Sequence, residues 1–377
     1  MDWMKVRYGF LDGMKAIVCL FVFLGHYFVA FFIKDVFPMN SIPYRACILV
    51  FYGCYTVPLF CAISGFLAMQ KELGKGWNLV LATLNRFLRF EIPIVVVIAA
   101  VMLLNRRELF ACGDLLAQRL ENKQLAGNYA FESHYTWLYR KPFWDFQSYN
   151  SPLWMTGSLF AGNIALYCYS YTASLCRRYL KGPASAVCQM AAMALLFFLA
   201  RHDIPLFAVL LGGCYALLRQ WAGGMDGRHN SGRKAHAFGC AAGLLLMLLN
   251  AGLYFFRDFD FERFPRYYEW VGMAAACGIL HLVFSIPAVQ GLLEGKALAA
   301  LGKLSFAIYI VHYPLIGLLA CPMVYILWDR LPYVPLVLLA FTATAAACLI
   351  ASIVFNRLIE RPCYAGIKKV IGFLGEN

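Results

Sequence analysis

Residues 11–33 read LDGMKAIVCLFVFLGHYFVAFFI. The run is apolar and long enough to cross a bilayer, whose hydrocarbon core takes about 20 residues of helix. It nevertheless carries Asp12 and Lys15 at its entrance and His26 deep inside. Ionisable groups at that depth cost a few kcal/mol or more, so a helix that keeps them usually needs them for a site. Asp12 and Lys15 are three apart, share a face and can pair. Lys15 and His26 are eleven apart, about three turns, which puts them on one face roughly 16 Å from each other along the axis. A snorkelling lysine and a packed histidine would explain the same pattern without function. The rest of the chain has to decide.

Outward from this helix the composition is that of an integral membrane protein. The 377 residues are 62% hydrophobic and 14% charged, with a mean hydropathy of +0.65, against about 25% charged residues in soluble domains. A net charge of +13 would suggest nucleic acid in a soluble protein. Here membrane topology accounts for it, and no nucleic-acid partner is expected. The first apolar run is too long and too charged at its start for a cleavable signal. The fourteen cysteines form no CxxC pair. Cys47, Cys54 and Cys61, seven apart on an expected helical face, read as small packing residues rather than metal ligands.

The expected fold class is all-α and polytopic, one membrane domain over 1–377 with about ten helices. They fall near 11–33, 47–70, 83–104, 152–176, 184–200, 204–221, 237–256, 269–289, 304–327 and 333–356. With the N-terminus inside, 20 of the 33 lysines and arginines lie in inner loops or helix ends, and six of the others sit in one outer loop. The positive-inside bias therefore favours both termini cytoplasmic. That outer loop, 105–151, carries Trp137, Tyr139, Trp144 and Tyr149. A loop beyond about 15 residues is more often functional or disordered than idle, so it could roof a site or hold a polar acceptor.

Four further places put polar groups where a structural membrane protein would avoid them. Pro58 to Phe66, PLFCAISGF, suggests a kinked or broken helix around Ser64 whose freed backbone could line a cavity, although Ser and Gly also serve close packing. In NRFLRFEIP (85–93), Arg86 and Arg89 share a face at the inner border, a pattern that suits phosphate binding as well as positive-inside anchoring. Ser305, Tyr309 and His312 form a stripe at i, i+4 and i+7 just before Pro314. Glu360, Arg361 and Pro362 close the last expected helix at the inner surface. His281 has no evident polar neighbour and reads as a satisfied core histidine; His134, His202, His229 and His236 fall in loops and give no signal.

Taken in order, these motifs resemble the family 3 membrane acyltransferases, integral-membrane O-acyltransferases of bacteria. Lys15 and His26 match a Lys or Arg separated by ten residues from a His. PLFCAISGF echoes FFxxSGF, and NRFLRFEIP echoes RRxxRxxP. Ser305, Tyr309, His312 and Pro314 match SxxxYxxHxP, and Glu360 with Pro362 matches ExP. Two departures stand out. Asn85 replaces the first arginine, and Ser158 in SPLWMTGSLF (151–160) stands near a family glutamate, leaving helix four without a carboxylate there.

The resemblance implies acyl-CoA, acetyl-CoA first among the options, as cytoplasmic donor, and a hydroxyl of a cell-surface or lipid-linked carbohydrate as acceptor. It places the protein in the bacterial inner membrane, among its lipids. His26 would be the general base, or less readily a covalent acyl carrier. Tyr309 and His312 would position it or stabilise the oxyanion; Lys15, Arg86 and Arg89 would hold the CoA phosphates. Asp12, Ser64, Ser305 and Glu360 are supporting residues, and no metal is expected. The oligomeric state is open, a homodimer being one option. The rival reading is a transporter or flippase for a polar or lipid-linked substrate, which ten helices, broken segments and buried histidines would also suit.

Overall fold

Inside a bilayer every backbone N–H and C=O must be satisfied within the chain, which leaves apolar runs only the helix or the closed barrel. The computed structural model describes the chain except residues 1–7, 32–40, 52–53, 71–75, 106–108, 121–149, 224–230, 257–264 and 377. Among the described residues every regular element is helical. In chain order they are α1 (Gly9–Phe31), α2 (Ile42–Phe51), α3 (Thr56–Met69), α4 (Gly76–Asn105), α5 (Ala111–Arg119), a 3-10 turn (Ser151–Met155) and α6 (Thr156–Tyr179). Then come α7 (Pro183–Ala200), α8 (Ile204–Gly223), α9 (Ser231–Phe256), α10 (Pro265–Ser285), α11 (Pro287–Leu293) and α12 (Lys296–Leu315). A π-helical turn (Ile316–Ala320) leads into α13 (Cys321–Leu327); α14 (Tyr333–Phe355) continues through a second π turn (Asn356–Glu360) into α15 (Arg361–Glu376).

Seven of the described helical stretches are long and apolar enough to span a membrane, and two shorter apolar helices lie within α8 and α9. Large apolar side chains such as Leu195, Leu199, Leu244, Leu248 and Leu338 point outward, each about half exposed. This is a membrane protein, with a lipid-facing surface in place of a polar one.

Several boundaries differ from the sequence reading. The second expected helix is interrupted at the Cys54–Tyr55 turn, ahead of Pro58, which lies in the first turn of α3. There a missing N–H costs nothing because no intrahelical partner awaits it. Ser64 and Gly65 are continuous helix, so their smallness serves packing. Cys47, Cys54 and Cys61 consequently belong to α2, the turn and α3, and share no single helical face. α4 begins seven residues before the expected third helix, α12 eight before the ninth, and the tenth continues to Glu376. At about 1.5 Å per residue, α4 and the α14–α15 rod each exceed a 30 Å hydrocarbon core. Their overhanging ends pair: the Trp77 indole N–H donates to the carbonyl of Leu374 at 2.8 Å.

Part of the expected outer loop is folded. α5 buries Leu116 against Tyr27, Phe31 and α13, and Arg119 pairs with Asp329 at 3.0 Å and stacks on Trp328. Trp137, Tyr139, Trp144 and Tyr149 lie outside the described residues.

What positions the candidate residues is the docking of α1 on α12. A Cβ at Gly302 would lie 1.9 Å from the Asp12 carbonyl oxygen, and one at Gly13 would lie 2.0 Å from that of Leu293. Only glycine allows that approach, the usual device of membrane helix pairs. Asp12 meets Gly302, Cys19 donates through its thiol to the Ser305 carbonyl, and His26 meets His312. The two helices therefore run parallel. α3 and α8 interlock the same way, Gly65 against the Val209 carbonyl and Gly212 against that of Ala62. Replacing Gly302 with Val should force α1 off α12, costing about 1–3 kcal/mol by overpacking. Fluorescence-detected thermal unfolding in detergent should show a clearly lowered midpoint, whereas the same change at Gly366, where a Cβ meets nothing, should leave it in place.

Candidate active site

Parallel docking brings His26 of α1 and His312 of α12 together, with ring centroids 5.4 Å apart. Tyr313 packs against His26 at 5.3 Å, and Phe23 packs edge-on to His312 at 5.9 Å. His312 is buried and held by its backbone: Nδ1 lies 2.8 Å from the Tyr309 carbonyl and 3.1 Å from that of Ile308. Both partners are acceptors, so Nδ1 carries the proton, a tautomer assigned from this network. In the neutral ring Nε2 is then a bare lone pair, and among the described residues it has no hydrogen-bond partner.

Pro314 shapes the same turn. Lacking an N–H, it leaves the Ile310 carbonyl without its helical donor. The side chain of Asn150, fully buried, supplies one at 2.8 Å. The π turn at Ile316–Ala320 follows immediately, and such turns recur at functional sites.

The Tyr309 hydroxyl donates to the Pro152 carbonyl of the 3-10 turn and its ring stacks on Phe60; towards His312 it offers its backbone carbonyl and a ring contact at 6.1 Å. Ser305 likewise hydrogen-bonds back to the Gly302 carbonyl at 2.8 Å and does not join the histidines.

His26 faces a cavity of about 590 Å³ that is also lined by Thr56, Trp154, Ser158, His202, Asp203 and Glu269, among others. Ser158 donates to Asp203 Oδ2 at 2.6 Å, and the Leu206 N–H donates to Oδ1 at 2.9 Å. A carboxylate thus stands beside Ser158 after all, contributed by the residue before α8 instead of by α6. His202, silent in the sequence, lines this wall.

Towards the other end of α1, Lys15 pairs with Asp12 at 2.8 Å, as their spacing anticipates. Arg86 of α4 donates to Ser64 Oγ at 2.6 Å, with the Asn163 amide against the same hydroxyl at 3.2 Å. Arg89 lies over the Tyr364 ring at 5.1 Å. Glu360, buried in the second π turn, accepts from Asn356 at 2.6 Å and from Tyr364 at 3.2 Å, and Arg361 donates to Asn356 at 3.0 Å. Among the described residues the Nε atoms of Arg86 and Arg89 are buried without a hydrogen-bond partner. A buried guanidinium N–H without an acceptor is costly, and two guanidinium groups on one face suit an anion. Among the described residues no cluster of three His, Cys, Asp or Glu could hold a metal ion.

A family model described as an acyltransferase domain matches residues 8–356. The chain belongs to the family 3 membrane acyltransferases. Neither curated proteins nor solved structures gave a match. This acyltransferase therefore carries its motifs on two levels: the histidine pair beside the cavity, and the arginines with Lys15 towards the other end of α1 and α4.

Asn150, Asn163 and Asp203 escaped the sequence reading, since each is a short polar residue whose partner is distant in the chain. The one available cue was Pro314, which announces an orphaned carbonyl needing a donor. His281 is the satisfied core histidine expected, but it does have polar neighbours: Ser285, one turn on, contacts it at 3.3 Å, and Tyr215 does so at 3.2 Å. The geometry at Tyr309 makes a sharp expectation. Tyr309→Phe should lose about 1 kcal/mol of stability yet keep most acyl transfer, because the carbonyl that orients His312 remains. A loss of transfer in Y309F as deep as that of His312→Ala, at equal folded yield, would return the hydroxyl to the chemistry.

Proposed function

We propose that the protein moves an acyl group, acetyl being the simplest, from acyl-CoA to a hydroxyl of a cell-surface or lipid-linked carbohydrate, with His26 as general base. The observation that carries this reading is His26 on a cavity wall beside an imidazole whose Nε2 lone pair is bare. A hydroxyl entering the cavity gives its proton to His26 as its oxygen attacks the thioester carbonyl carbon. The tetrahedral intermediate collapses with cleavage of the C–S bond, and the CoA thiolate takes up the proton. His312 accepts a hydrogen bond from the imidazolium formed on His26, directly or through one water, and so favours that charged form in the transition state.

The donor reaches the pair from the inner side. Phe90 of α4 packs on Phe306 of α12, so Arg86, one turn earlier, lies near the level of Gly302 and Asp12. Phosphates bound by Arg86, Arg89 and Lys15 would leave about 16 Å of helix for the acyl-bearing arm to span to His26. Ten crossings with both termini inside agree with the parallel pairing of α1 with α12, and with that of α8 with α10, where Phe207 meets Trp270 and Tyr215 meets His281. The positive-inside count favours the same orientation, and the family resemblance suggests the inner membrane of a bacterium.

His26→Ala should reduce CoA release and product formation by about 10²–10⁴-fold at normal expression and thermal midpoint; full activity would end the proposal. Arg86→Gln should act differently, raising KM for acyl-CoA with a smaller change in kcat. Steady-state kinetics at saturating and limiting acyl-CoA separate the two effects.

A further inference from the structure

The turn that holds His312 is gripped from outside its helix at two adjacent residues. The Asn150 side-chain amide, fully buried, donates to the Ile310 carbonyl at 2.8 Å, and the Tyr309 hydroxyl donates to the Pro152 carbonyl. Residues 150–152 and 309–310 thus exchange two side chain-to-backbone hydrogen bonds. A carbonyl only accepts, so the Asn150 nitrogen is the atom that faces Ile310. Asn150 also opens the 3-10 turn, its own carbonyl accepting from the Leu153 N–H at 2.9 Å, and the same turn carries Trp154 on the cavity wall with His26. The Ile310 carbonyl is the one that Pro314 deprives of its helical donor. It follows directly on the Ile308 and Tyr309 carbonyls, which hold His312 Nδ1 at 3.1 and 2.8 Å. Without a donor, a buried carbonyl at this place would tilt its peptide plane to find one, and the adjoining Tyr309 carbonyl would turn with it.

We infer that Asn150 is a positioning residue for the histidine pair: its amide replaces the donor lost at Pro314 and so keeps the Tyr309 carbonyl on His312 Nδ1. With the proton held there, Nε2 stays the lone-pair nitrogen of the ring beside His26. The inference rests on the reading that acyl transfer runs at this pair. Asn150 acts through the turn and on no reacting atom, so its loss should show in kcat, leaving the binding of acyl-CoA to Lys15, Arg86 and Arg89.

The missing N–H can be put back, which gives a test that only a donor role passes. The full chain in nanodiscs is assayed for CoA release from acetyl-CoA, with methyl glucoside as the probe acceptor. Asn150→Ala should lower kcat about ten- to hundredfold with KM for acetyl-CoA unchanged. Pro314→Ala returns a backbone N–H to the Ile310 carbonyl, so the double variant should be faster than Asn150→Ala alone. Asn150→Leu, which keeps the branched outline without a donor, repeats the comparison where alanine leaves too large a void. A double variant no faster than the single one, or a loss confined to KM, overturns the inference. So does failure of both Asn150 variants to fold, which would make the residue structural. A second readout needs no acyl transfer. Solid-state NMR of the protein with isotope-labelled histidine in lipid bilayers reads which ring nitrogen is protonated, the His312 signals being assigned by their absence in His312→Gln. The wild type should show Nδ1–H, Asn150→Ala a mixture of tautomers, and the double variant Nδ1–H again; an unchanged ring in Asn150→Ala contradicts the inference. If the ring responds in this way while the wild type moves no acetyl group, the acyltransfer reading fails and the positioning of His312 stands.

Discussion

Two backbones in contact decide where everything else in this protein falls. Gly13 and Gly302 let α1 settle onto α11 and α12 at distances no side chain would allow. In a bilayer there is little hydrophobic gain in pressing one apolar helix against another, so close packing and hydrogen bonds between helices must provide the attraction. That docking fixes the parallel register of α1 and α12, and the register brings two imidazoles from opposite ends of the sequence within 5.4 Å. The Tyr27 hydroxyl on the Val337 carbonyl at 2.8 Å, and the Tyr333 hydroxyl on that of Phe31, then pin the far end of α1 to α14. Neither histidine is placed by its own packing alone.

Around that frame, the polar groups that a membrane interior penalises are mostly matched. Where Pro314 strips a donor from the Ile310 carbonyl, Asn150 restores one. Where the second π turn disturbs the ladder, Asn356, Glu360, Tyr364 and Arg361 bond to one another. Among the described residues the exceptions include the Asn85, Asn150 and Asn250 amide oxygens and the Thr344 hydroxyl as well as His312 Nε2 and the Nε atoms of Arg86 and Arg89. Of these, His312 Nε2 belongs to the ring beside His26, and the two arginine atoms share one face of α4. The distance between the two levels suits a donor with phosphates at one end and a thioester at the other.

Much of this was legible in the residues themselves. Intramembrane Lys15, His26 and His312 announce themselves because each breaks an apolar run at a cost, and the regular spacing of Ser305, Tyr309 and His312 reports one helical stripe. Spacing says which residues share a face, however, and not what each hydroxyl touches. Tyr309 and Ser305 thus look like site residues in the sequence while their hydroxyls serve the Pro152 and Gly302 carbonyls. The break at Cys54–Tyr55 was hidden because Pro58 draws attention to itself from a position where it is harmless. Asp203 was hidden for the opposite reason: a lone acid between two helices looks like an ordinary cap, which it is, while its other oxygen meets Ser158 across the bundle. Helix ends were misplaced where hydropathy falls before helix does, as in α4 and in α15 beyond Glu360.

The account stands on a donor stretched along α1 from Arg86 and Lys15 to the histidine pair. A cryo-EM map of the protein in nanodiscs with a non-reactive thioether analogue of acetyl-CoA tests this most directly. It should show the phosphates against Arg86, Arg89 and Lys15 and the sulfur beside His26 and His312. Phosphate density elsewhere, or a sulfur that stops well short of the imidazoles, would contradict it.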